Sequence, residues 1–249
     1  MKNPANDIST FPGKFALVVG GSGGIGRAIS VEVSRRGAKL LVHGRHASEH
    51  TRGLPLGDHE TFDATFESPA GFIRALDLRL GQLGIEPDIV VCAFGPFLEK
   101  SLECYTAEEW EWLTLANLAL PGALTSRFLP GMLRRKYGRF LFFGGTRTDG
   151  IRAYKKIVAY ASAKTGLGIL AKSIAAQGAP HNVAAVVVCP GPTETEYLDE
   201  ETKIRHASLT ATRSLARADH IAHIGLDLID ADPCLASGAI VTLDGGFAP

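Results

Sequence analysis

The 249-residue chain has few of the residues that build cross-linked or metal-held proteins. Its four cysteines, Cys92, Cys104, Cys189 and Cys234, are scattered, with no C-x-x-C pair and no paired histidines at zinc spacing. Neither a disulfide framework nor a metal cage is expected, and the thiols read as reduced packing residues. An excess of either charge is also missing: 26 Lys and Arg balance 26 Asp and Glu. No net field therefore gathers nucleic acid, an anionic membrane surface or a polyanionic substrate. No apolar run approaches the roughly 20 residues of a membrane span, and the stretch from Met1 to Phe11 lacks the charged-then-apolar order of a signal peptide. The expectation is a soluble, cytoplasmic protein with no nucleic-acid or membrane partner. His220 and His223 share a helix without a third ligand nearby, so no metal site is expected.

What is present is a hydrophobic content of 45%, enough for a substantial core. Short β-branched or aromatic runs alternate with longer helical patterns, the mark of βαβ units feeding a parallel sheet. Strands are predicted at Phe15–Val19, Lys39–Val42, Glu60–Phe62, Asp88–Cys92, Arg139–Phe143, Val183–Val188 and Ala239–Leu243. Most are continuous apolar runs, as strands covered on both faces require. A first helix is expected from Ile25 to about Arg36, stopped by Gly37. Ser68-Pro69 reads as a cap and first-turn proline, and Thr106 with Glu109 as a capping box. The polar stretch from His46 to His59 reads as a loop. The predicted fold class is α/β: one doubly wound Rossmann-type domain over 1–249, a mostly parallel seven-stranded sheet with helices on both faces and a flexible N-terminus to about residue 12.

The first strand runs into Gly20-Gly21-Ser22-Gly23-Gly24-Ile25-Gly26. A strand, a glycine turn and a helix offer what a pyrophosphate needs: close backbone approach, free N–H groups and the positive helix end. Two registers fit, Gly21/Gly23/Gly26 as G-x-G-x-x-G and Gly20/Gly24/Gly26 as G-x-x-x-G-x-G. Dinucleotide enzymes often place an acid at the end of the second strand to bind the adenosine ribose. Here Leu41-Val42-His43-Gly44-Arg45 holds no carboxylate, and Arg45, with His43, is expected to pair with a 2′-phosphate, so NADP(H) is preferred to NAD(H). Arg45 as an ordinary solvated loop residue is the competing reading.

Between the fifth and sixth strands, Tyr160-Ala161-Ser162-Ala163-Lys164 opens a helix-favouring stretch. Residues four apart share a helix face. An ammonium beside a phenol favours the phenolate and is expected to lower the tyrosine pKa towards the range useful for proton transfer.

Taken in order, the glycine turn and Tyr160/Lys164 resemble the short-chain dehydrogenase/reductase family, from about Gly13 to the C-terminus. Four further segments share the likeness. Phe62-Asp63-Ala64 resembles the acid after strand three that reaches the adenine, and Asn117 the asparagine of the catalytic tetrad. Pro190-Gly191-Pro192-Thr193-Glu194-Thr195 resembles the P-G-x-x-x-T segment beside the nicotinamide and pyrophosphate, and Leu243-Asp244-Gly245-Gly246 the C-terminal D-G-G. The resemblance implies an NADP(H)-dependent oxidoreductase acting on a small carbonyl or secondary alcohol. It implies Tyr160 as acid/base, Lys164 holding the nicotinamide ribose, and Asn117 supporting a water chain. Its cofactor residues are Gly20, Ser22, Gly24, Ile25, Gly26, His43, Arg45, Asp63, Ala64, Ala93, Gly95, Tyr160, Lys164, Pro190, Gly191, Thr193 and Thr195. It also implies a homodimer or homotetramer built on the helices of Asn117 and Tyr160.

The chain departs from the family in three places. Val19 stands where threonine usually precedes the glycine turn, and Cys92-Ala93-Phe94-Gly95 replaces Asn-Asn-Ala-Gly. After strand five, Phe143-Gly144-Gly145-Thr146-Arg147-Thr148 contains no substrate-binding serine. Thr146 offers the same hydroxyl as a catalytic group, and Gly145 is the alternative occupant of the serine's position. Thr195 to Thr212, which includes Glu196, Tyr197, Glu200, Glu201 and Arg205, reads either as a flap over substrate or as a solvated helix. Trp110 and Trp112 read as packing or subunit contacts. The altered segments leave a second function open, a dinucleotide-binding sensor or scaffold with impaired catalysis.

Overall fold

The continuous apolar runs form strands covered on both faces. In the computed structural model, which describes residues 10–247, β1 (Phe15–Val19), β4 (Ile89–Cys92), β5 (Gly138–Phe143) and β6 (Val183–Pro190) are buried along their whole length. With β2 (Lys39–Gly44), β3 (His59–Asp63) and β9 (Ile240–Leu243) they make one seven-stranded sheet in the order β3-β2-β1-β4-β5-β6-β9. Every pair in it is parallel. The doubly wound α/β architecture read from the sequence is the observed one.

Side-chain alternation along the strands divides the core in two. Phe15, Leu17 and Val19 face α3 (Pro69–Leu83), α5 (Leu120–Arg135) and α6 (Val158–Gly178), meeting Leu76, Phe128 and Leu167. Ala16 and Val18 face α1 (Gly24–Arg35) and α8 (Ala218–Asp230), meeting Ile29, Val33 and Leu226. Each such buried leucine, isoleucine or phenylalanine contributes about 1.5–3 kcal/mol relative to exposure. Arg36 is buried too, clasping α1 to α8 through Glu32, Asp227 and Asp230, and His223 closes the same cluster on Glu32.

The helix starts follow their caps. Ser68 accepts the Gly71 N–H, and Thr106 and Glu109 form the reciprocal capping box at the head of α4 (Ala107–Thr114). Between α4 and α5, Leu115–Ala119 is π-helical.

Several expectations need revision. The loop from His46 opens with a one-turn helix, α2 (Ala47–His50). β2 and β6 each run two residues past their predicted ends, because His43 and Gly44 pair with β3 while Cys189 and Pro190 pair with β9. A second, two-stranded sheet pairs β7 (Thr193–Glu194) with β8 (Ala216–Arg217), pinching together the two ends of the segment carrying α7 (Glu200–Ser208). Such short strands carry no periodicity to read. The predicted flexible N-terminus lies largely outside the described residues, but Phe11 is fully buried and its N–H donates to Arg36 O at 3.0 Å. Cys92 and Cys189 are buried packing residues, whereas Cys104 is exposed. Among the described residues no helix is long and apolar enough to cross a membrane.

Candidate active site

A parallel sheet delivers the carboxyl ends of its strands to one edge, and a crevice opens where strand order reverses, here between β1 and β4. Gly20, Ser22, Gly24, Ile25, His43, Arg45, Ala64, Ala93, Gly95, Thr146, Tyr160, Lys164, Pro190, Gly191, Thr193 and Thr195 all line one cleft of about 1010 Å³ there. Three predicted residues, Gly26, Asp63 and Asn117, stand outside its lining.

The two glycine registers differ in backbone conformation. Gly20 and Gly24 have φ of +79° and +51°, the left-handed region glycine favours, and a side chain on Gly26 would strike the Gly20 carbonyl. Gly26 therefore lets α1 pack against the end of β1 and does not face the cleft. Gly21 and Gly23 are crowded as well, by Val18 and Ser30 and by Tyr197, so positive φ at Gly20 and Gly24 is what sets their spacing apart.

His43 does not act as the expected partner of a phosphate. Its Nδ1 accepts the Gly20 N–H at 3.2 Å, so Nε2 carries the ring proton and donates to Ala64 O at 3.1 Å. Burial pushes its pKa down to about 4, which leaves the ring neutral at physiological pH. It braces the turn, a role that the missing threonine at Val19 leaves open. Arg45 alone remains as the cation, exposed at the cleft rim. Asp63 is likewise redirected: its carboxylate accepts the Ser48 N–H at 2.8 Å and the Ser48 hydroxyl, tying α2 to β3.

Lys164 and Tyr160 rise from the first two turns of α6. The ammonium donates to Phe143 O at 2.7 Å and lies 5.8 Å from the centre of the Tyr160 ring. Burial pushes it down to about 8, from 10.5. Between those values the unfolded chain binds more protons than the folded one, so this group's contribution to stability rises with pH across that window. Lys164→Met is expected to flatten that rise in melting temperature relative to the parent. Superimposable pH profiles would contradict a buried ammonium.

The expected fall in the Tyr160 pKa is not seen. Burial raises it, because a phenolate taken out of water loses its solvation, and Cys189 adds in the same direction. The phenol is held in its protonated form. Its ring packs edge-on to Phe97 with centroids 5.1 Å apart.

Beneath the pair, in the π-turn, Asn117 Nδ2 donates to Leu113 O at 3.0 Å and to Pro96 O at 3.0 Å. Asn117 Oδ1 is buried with no hydrogen-bond partner among the described residues. A methyl group built on Gly95 would lie 2.8 Å from Lys164 Nζ and closer still to Asn117 Oδ1. Only glycine leaves this space open, and a water there has both an acceptor and a donor.

The serine question is answered by packing. A side-chain carbon on Gly145 would come within 2.7 Å of the Tyr160 hydroxyl, whereas Thr146 Oγ1 donates to Pro190 O at 3.2 Å. Gly145 therefore abuts the Tyr160 hydroxyl, and the single proton of the Thr146 hydroxyl is already engaged.

The cleft extends beyond the predicted residues to another mouth. Phe97, Trp112, Tyr154, Ile157 and Arg147 line it, and Trp112, read as a packing or subunit contact, is 44% exposed there. Trp110 packs on Tyr105, with centroids 5.9 Å apart. No local pattern marks these aromatics, since they converge from α4 and two separate loops.

The arrangement suits a dinucleotide on its own terms: a glycine cradle at a helix start, an ammonium and a phenol further along the same cleft, and a buried amide oxygen awaiting a donor. Residues 14–205 match the family model described as short chain dehydrogenase. The chain is 31% identical to the 3-oxoacyl-[acyl-carrier-protein] reductase FabG of Escherichia coli K12, over 95% of this chain and 98% of that one. It is 24% identical to the D-beta-hydroxybutyrate dehydrogenase of Rhizobium meliloti, over 94% and 96%. Among solved structures, a 3-oxoacyl (acyl-carrier-protein) reductase from Agrobacterium tumefaciens with NADP bound superimposes with a TM-score of 0.85 at 22% identity, over 99% of this chain and all of that one. A Brucella melitensis reductase with NAD bound has the same score at 20% identity, over 99% and 96%. Matched by that family model over residues 14–205 and by relatives along nearly its whole length, the chain belongs to the short-chain dehydrogenase family of oxidoreductases.

Proposed function

We propose that this protein interconverts a carbonyl compound and a secondary alcohol, reducing the carbonyl with NADPH, and that Tyr160 is its acid/base. The observation that carries the reading is the convergence of the Gly20/Gly24 cradle, buried Lys164 and protonated Tyr160 on one cleft, with unpartnered Asn117 Oδ1 behind them. The nicotinamide supplies the hydride when bound. Tyr160 donates its proton to the substrate oxygen as negative charge develops there. Lys164, fixed by Phe143 O, presents its remaining protons to the ribose and to the space beside Gly95. Asn117 Oδ1 holds a water there, through which the proton is replaced. Gly20, Ser22, Gly24, Ile25, Pro190, Gly191, Thr193 and Thr195 line the path of the dinucleotide, with Ala64, Ala93 and Gly95 along its wall.

The choice of NADP(H) rests on Arg45, since His43 is neutral and turned inward. The relatives leave the choice open, as solved neighbours carry either dinucleotide. Arg45→Ala is expected to reduce the preference for NADPH over NADH by about tenfold or more, the value of a hydrogen bond to a charged group. Titration of both cofactors against tryptophan fluorescence measures it, and an unchanged ratio removes Arg45 from the site.

One observation favours the rival reading of a sensor or scaffold: glycine beside the Tyr160 hydroxyl leaves no serine to share the substrate oxygen. A panel of ketones and alcohols with NADPH and NADP separates the two. Turnover that depends on Tyr160 supports the enzyme, whereas cofactor binding without turnover supports the sensor.

A further inference from the structure

The segment between β7 and β8 makes a contact that cofactor binding must disturb. Glu196 lies at the N-terminus of α1, where Oε1 accepts the Gly24 N–H at 2.9 Å and Oε2 pairs with Arg27 at 3.3 Å. The Tyr197 hydroxyl bonds to the same carboxylate and covers Gly23, so that a side chain there would run into it. Burial opposes the charge on Glu196, but the Gly24 N–H, Arg27 and Tyr197 more than offset this and hold its carboxyl below the ordinary range.

A helix N-terminus on a glycine turn is the seat of a dinucleotide's pyrophosphate, and here a carboxylate of the chain has taken it. We propose that Glu196 is a built-in competitor for that seat and sets cofactor affinity, since the pyrophosphate must displace it and lift the segment it anchors. This rests on the dinucleotide reading of the cleft.

The segment is suited to being lifted. The β7–β8 pair pins both of its ends, while α7 buries no residue of its own, so little packing is lost when it moves. Tyr197 and His206, on the same segment, also line the cleft. Displacing Glu196 therefore shifts groups around the substrate, and cofactor is expected to enter before substrate.

The test is calorimetric titration of the whole protein with three probes: NADPH, inorganic pyrophosphate, and adenosine 2′-monophosphate, which has the 2′-phosphate but no pyrophosphate. Glu196→Gln removes the charge and Glu196→Ala the occupant. A competitor that leaves only a fraction of molecules receptive weakens apparent affinity by that fraction, so NADPH and pyrophosphate should bind roughly threefold or more tighter to both variants, most of all to Glu196→Ala. Adenosine 2′-monophosphate should bind as before. Tyr197→Phe, which keeps the ring, should shift affinity in the same direction by less and serves if the Glu196 variants fold poorly. Unchanged or weaker NADPH binding overturns the proposal, as does equal tightening for all three probes, which is a general effect of charge. Failure of the parent and every variant to bind NADPH or NADH overturns the dinucleotide reading itself.

Discussion

Replacing Tyr160 with phenylalanine is expected to lower carbonyl reduction by roughly a thousandfold while leaving the fold and cofactor binding intact. No described residue hydrogen-bonds the hydroxyl, so its loss strands no partner. The ring keeps its edge contact with Phe97 at 5.1 Å. What disappears is the proton at the end of the ring, held in place because burial keeps the phenol from ionising. A thousandfold corresponds to about 4 kcal/mol in the barrier, within the reach of one well-placed acid. Single-turnover reduction of any accepted ketone, beside an NADPH titration, separates chemistry from binding. A variant that binds NADPH normally and turns over at the parent rate would remove Tyr160 from the reaction.

The second large effect is structural. Gly26→Val would drive a branched side chain into the Gly20 carbonyl, 2.8 Å from that group's carbon atom and near Ala93. Backbone cannot step aside as a flexible side chain can, so the cost is about 3 kcal/mol or more. For a domain of this size that lowers the melting temperature by roughly 10 °C. Dinucleotide binding should weaken with it, because the shift distorts the cradle between β1 and α1. Gly81→Ala is the control: nothing among the described residues lies within 4 Å of a side-chain carbon there, in the interior of α3. Alanine there should be neutral or slightly stabilising, since it removes conformational freedom from the unfolded chain. Equal melting temperatures for Gly26→Val and the parent would mean that α1 does not pack on the turn as described.

The features that could be read in advance are those set by neighbours in the chain. Strand positions followed from apolar runs, helix starts at Ser68 and Thr106 from side chains that reach three residues along, and the cradle from glycines in a turn whose sterics are local. Tyr160 and Lys164 could be paired because a helix places residues four apart on one face. These inferences needed no partner from elsewhere in the chain.

Tertiary structure decided the rest, because charge state and access depend on which distant groups surround a side chain. His43 reads as a cation in sequence and becomes a neutral brace once Gly20 and Ala64 close on it. The spacing predicts a Tyr160 phenol that ionises more readily beside Lys164, yet burial raises the phenol while it lowers the ammonium. Gly145 and Thr146 are adjacent in the chain, and only packing against Tyr160 and Pro190 tells them apart. Trp112 enters the cleft and Glu196 reaches Gly24 across the fold, contacts that no local pattern encodes. Fold and family follow from short-range sterics and periodicity; protonation, donor placement and occupancy of the phosphate seat follow from desolvation and contact between segments far apart in the chain.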